Sequence, residues 1–121
     1  TPIAHALAYP QRIDSGVEPF DFFACQDFSF QAADFARYPN LKLAIDACSS
    51  GQGACTALNA ANEIAVAAFL NNQIKFNEIA TINETSVEKF VSERVTSIED
   101  VVSLDKWARN FAQSVVANMN R

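Results

Sequence analysis

The sequence predicts a mainly α protein: an antiparallel four-helix bundle preceded by a short helix and a Phe-rich extended linker. Three observations lead there. The 121 residues contain only three Gly and four Pro, too few for a chain built on tight turns. From Tyr38 onward, apolar residues recur at three- and four-residue intervals, the period of a helix with one buried face. Between Asp46 and Lys75 the only formal charge is Glu63, so Gly53 to Phe76 reads as one helix covered on most sides.

Residues 1 to 10, TPIAHALAYP, read as a short helix. Pro2 suits its first turn and Pro10 stops it, with Ile3 and Leu7 on one face. Isolated helices below about 12 residues are marginal, so this one must pack on something else.

Residues 11 to 35 have another texture. Ser15-Gly16 and Glu18-Pro19 signal turns or extended chain. Phe20 and Phe22 alternate, and so do Phe28 and Phe30, which predicts short extended segments with one buried face. Six of the ten Phe fall here, so the connector is expected to be stapled to a neighbouring domain by aromatic side chains. No basic residues interleave with the rings, which argues against a ligand-stacking platform.

The next helix starts near Pro39, with Leu41, Ala44, Ile45 and Cys48 as its face and Ser49-Ser50-Gly51 as its end. The central helix follows over roughly 54 to 72. Leu58, Ala61, Ile64, Ala65, Ala68 and Phe69 form its apolar side, while Asn59, Asn62, Glu63 and Val66 gather on another. A third helix is expected from an Asn77 N-cap to Val91 or Ser92, with Ile79, Ile82, Val87, Phe90 and Val91 as its core. Thr81, Asn83, Thr85 and Ser86 make it the weakest of the set. Ser97 to Asp100 has capping-box spacing with Asp in place of Glu. The expectation is a turn over 97 to 102, then a helix from about 104 to 119 that buries Leu104, Trp107 or Ala108, Phe111, Val115 and Met119.

The search for chemistry yields little. The net charge of −5 is dispersed and no basic stripe is present, which argues against a nucleic acid partner. The purely apolar run Ile64 to Leu70 is far shorter than the roughly 20 residues of a membrane span. Cys25, Cys48 and Cys55 form no CxxC and read as free thiols of a reducing cytosol. Cys48 and Cys55 read further as small apolar residues. The single His, His5, is not joined by the clustered ligands a metal requires. Gly51-Gln52-Gly53 lies between two helices, so it reads as a tight helix-helix turn and not as a dinucleotide loop. Asn59, Asn62 and Glu63 are expected to pair with backbone groups or side chains of a packed connector, Glu63 as a nearly buried carboxylate. No catalytic, cofactor-binding or metal-binding residue is assigned.

ALNAANEIAVAAFL at residues 57 to 70 resembles the C-terminal helical domain of the 1-deoxy-D-xylulose 5-phosphate reductoisomerase family. TPIAHALAYPQRIDSGVEPFDF at the start and YPNLKLAIDACSSGQ at residues 38 to 52 resemble the same family, in the same order. The resemblance implies that residues 1 to 35 are the end of a catalytic domain and a linker, and that 36 to 121 are the C-terminal bundle. It implies a parent enzyme of non-mevalonate isoprenoid synthesis that rearranges and reduces its substrate with NADPH and a divalent metal (magnesium, manganese or cobalt), is inhibited by fosmidomycin, and works as a cytoplasmic homodimer. The family's metal, phosphate and cofactor residues map upstream of Thr1, so this chain is expected to be inactive alone and to serve its own catalytic domain in cis. The opening on Thr1, running straight into apolar residues, fits a piece of something longer. Left alone, the piece is expected to self-associate through its apolar arm. The alternative is an independent all-helical interaction module, for which residues 1 to 35 would have no use.

Overall fold

The computed structural model describes residues 2–24, 28–90 and 95–119. It contains five helices: α1 (Pro2–Ala8), α2 (Pro39–Ser50), α3 (Gln52–Leu70), α4 (Glu78–Lys89) and α5 (Ile98–Met119). Among the described residues there is no strand. The chain divides into two compact units, residues 1–32 and 33–121.

The first unit holds α1 and the start of the connector. Local carboxylate turns shape it: Asp14 Oδ1 accepts the Gly16 N–H, and Asp21 Oδ1 accepts those of Phe23 and Ala24. Phe20 packs edge-on against Phe22 with centroids 4.9 Å apart, and Phe28 joins them. Ile3, Leu7, Phe23 and Phe30 lie open.

In the second unit, α2 to α5 pack together as a bundle. α3 is its centre: it packs against α2, α4 and α5, whereas α2 and α5 do not approach each other. The surface that α3 offers is almost wholly alanine. Ala57, Ala60, Ala61 and Ala65 are 0% exposed, with Ala54 and Ala68 close behind. A side chain that ends at Cβ lets a neighbouring helix axis come close. Ala61, Ala65 and Ala68 meet Ile74, Ile79, Ile82, Ala112 and Val116 in one cluster. Ala57 and Ala60 meet Ala108 in a second, with Phe90 packed against it. By length and composition α3 could cross a membrane; here its apolar sides are taken by three helices.

The Gly51-Gln52-Gly53 turn needs its glycines for different reasons. Gly51 has φ 109° and ψ −177°, a region L side chains rarely adopt, and its N–H donates to the Ala47 carbonyl. Gly53 has an ordinary backbone, but a Cβ there would sit 2.6 Å from the Phe90 ring. At the other end of α3, Asn72 takes φ 58°. The N–H groups of Asn72 and Gln73 donate to the Phe69 and Ala68 carbonyls, both at 2.9 Å, which closes the helix in a Schellman motif.

Several expectations need correction. The inward face of α2 is Ala47 with half-buried Leu43; Leu41, Ile45 and Cys48 point outward and are exposed. Two apolar stripes run along this helix, and the smaller one fits beside alanine-surfaced α3. Asn77 is not a side-chain cap. It is already helical, and carbonyls of Lys75 and Phe76 take the first N–H groups. Glu78 Oε2 instead reaches back to the Lys75 N–H at 2.6 Å. The buried positions of α4 are Ile79, Ile82, Asn83 and Ser86, while Val87 and Phe90 are half-buried. Val91 and Ser92 lie outside the described residues. Ser86 can be buried because its hydroxyl donates to the Ile82 carbonyl at 2.7 Å.

α5 is continuous from Ile98, with no separate turn over 97 to 102. The capping box explains why. Ser97 Oγ accepts the Asp100 N–H, and Asp100 Oδ2 accepts the N–H groups of Thr96 and Ser97 and the Thr96 hydroxyl. These bonds, Thr96 foremost, hold the Asp100 carboxyl below its ordinary value of 3.8. Their contribution is complete above that pH and is lost as pH falls through the lowered value. The buried stripe of α5 is Ala108, Ala112 and Val116; Trp107 stays 37% exposed and stacks on Phe111 with centroids 5.6 Å apart.

Gly53→Ala is expected to destabilise the bundle by about 1–3 kcal/mol, the usual cost of overpacking, despite the better helix propensity of Ala. Denaturant unfolding checks this; equal or greater stability would show that the Phe90 ring yields freely.

Candidate functional site

Among the described residues, side-chain hydrogen bonds between helices lie in two places. The first lies between α2, α3 and α4. Asn83 is 1% exposed, and its Nδ2 donates to Asn40 Oδ1 at 3.1 Å and to Asn62 Oδ1 at 3.0 Å. One carboxamide thus ties three helices together. A buried carboxamide must find partners for both ends, and here only one end does. Asn83 Oδ1 is buried without a hydrogen-bond partner. A cavity of about 390 Å³ adjoins, lined by Asn40, Ala44, Ala47, Leu58, Asn62 and Asn83 among others.

The second place lies between α3 and α5. Arg109 Nη2 donates to Glu63 Oε2 at 2.7 Å, and its Nε donates to Asp105 Oδ2 at 2.7 Å. The guanidinium fork therefore holds one carboxylate from each helix. These bonds, that of Asp105 foremost, raise the Arg109 pKa. Asn59 Nδ2 reaches Glu63 Oε1 at 3.4 Å.

Asn59, Asn62 and Glu63 are thus engaged, but with side chains of other residues and not with backbone. Glu63 is also no buried carboxylate: its side chain is 55% exposed. Its Oε2 accepts from Arg109 and its Oε1 from Asn59, so both carboxylate oxygens are already engaged. Cys48 and Cys55 are free and exposed, not packed as small apolar residues; Cys25 lies outside the described residues. Among the described residues no three His, Cys, Asp or Glu side chains stand together as a metal would need. Glu63 and Asp105 already share Arg109. These described residues do not fit a metal centre.

Sequence reasoning passed over Asn83, Asn40 and Arg109. Asn83 was findable: with Ile79, Ile82 and Ser86 it completes an i, i+3, i+4, i+7 stripe, so its carboxamide had to point into the core. Arg109 had no such signal, because its bond to Glu63 spans 46 residues of chain.

The family described as the DXP reductoisomerase C-terminal domain matches residues 1–111. A 1-deoxy-D-xylulose 5-phosphate reductoisomerase of Colwellia psychrerythraea is 64% identical over 118 residues, 98% of this chain and 29% of that protein. One from Actinobacillus pleuropneumoniae is 55% identical over 119 residues, covering 98% and 30%. Among solved structures, the Zymomonas mobilis reductoisomerase in complex with NADPH matches with TM-score 0.85 and 40% identity, over 96% of this chain and 31% of that one. A DOX-P reductoisomerase in complex with NADPH, fosmidomycin and magnesium matches with TM-score 0.86 and 39% identity, over 100% and 32%. The chain therefore spans less than a third of the length of these relatives.

Asn83→Ala should cost about 1–3 kcal/mol, because it strips the buried donor from two acceptors at once. A double-mutant cycle with Asn62→Ala, read by thermal unfolding, should show strong non-additivity. Simple additivity would mean that the carboxamides do not act together.

Proposed function

This chain belongs to the DXP reductoisomerase C-terminal domain family, and we propose that it is the supporting C-terminal part of a 1-deoxy-D-xylulose 5-phosphate reductoisomerase. The complete protein then converts 1-deoxy-D-xylulose 5-phosphate to 2-C-methyl-D-erythritol 4-phosphate with NADPH and a divalent metal. Nucleotide, metal and substrate belong to the upstream domains. What carries this reading is one continuous correspondence, 64% identical over 98% of this chain yet only 29% of its relative.

In this reading residues 1 to 35 close the catalytic domain and form the linker, and 36 to 121 form the bundle. The partner is the chain's own catalytic domain in cis, within a cytoplasmic homodimer. The apolar side chains of the first unit support that assignment. Ile3 is 77% exposed, Leu7 84%, Phe22 71% and Phe30 89%, and a connector with such side chains calls for a protein surface to cover them. Without that surface the piece self-associates through the same side chains.

Two assays test the proposal. The complete protein should oxidise NADPH when given 1-deoxy-D-xylulose 5-phosphate and a divalent metal, while these 121 residues alone give no turnover. Within the complete protein, Glu63→Ala should lower the melting temperature, because the α3–α5 ion pair is lost, and leave kcat and KM unchanged. A complete protein without reductoisomerase activity would overturn the proposal. A fall in kcat at unchanged stability would overturn the supporting role of Glu63.

A further inference from the structure

We draw no further inference here: the strongest candidate, the exposed apolar stripe of Leu41 and Ile45 along α2, is an unpartnered helix face, and nothing in the structure shows what covers it.

Discussion

The bundle depends on how closely three helices approach α3. Six alanines, from Ala54 to Ala68, give that helix a surface one carbon deep, and each is 5% exposed or less. A larger side chain at such a position must push a whole neighbouring helix outward, because packed interiors do not absorb an added methylene without strain. Gly53 carries the same constraint to its limit, where even a single carbon meets Phe90. The small residues are therefore a requirement of geometry and not filler between better anchors.

That close approach leaves little room for large apolar anchors, and polar side chains do part of their work. Asn83 ties α4 to α2 and α3, and Arg109 ties α5 to α3. Each bond fixes the rotation of one helix about its axis relative to another, which smooth alanine surfaces fix poorly.

The helices themselves were legible in the sequence, since period and charge are local signals. The central helix stood out because Glu63 was its only charge, and the capping box at Ser97 gave a true start. Which stripe of a helix faces inward was less legible. Leu41 and Ile45 have the stronger hydrophobic pattern in α2, yet the turn faces α3 with Ala47, because size decides at a close contact. The break expected before residue 104 failed because the cap at Ser97 already starts the helix at Ile98. At the polar site, Asn62 and Glu63 were visible as odd polar residues on an apolar helix. Their partners Asn83 and Arg109 are distant in the chain, and no local pattern joins them.

Substitution at the centre of α3 tests this account most directly. Ala61→Leu places a branched side chain at a position that is 0% exposed, in contact with the α4 and α5 residues of the main cluster. Ala67→Leu adds the same atoms to the same helix at an exposed position. Denaturant unfolding of the two variants should separate them: Ala61→Leu loses about 1–3 kcal/mol, and Ala67→Leu stays within about 0.5 kcal/mol of the parent. If Ala61→Leu is as stable as the parent, or more so, close approach to α3 is not what holds the bundle together.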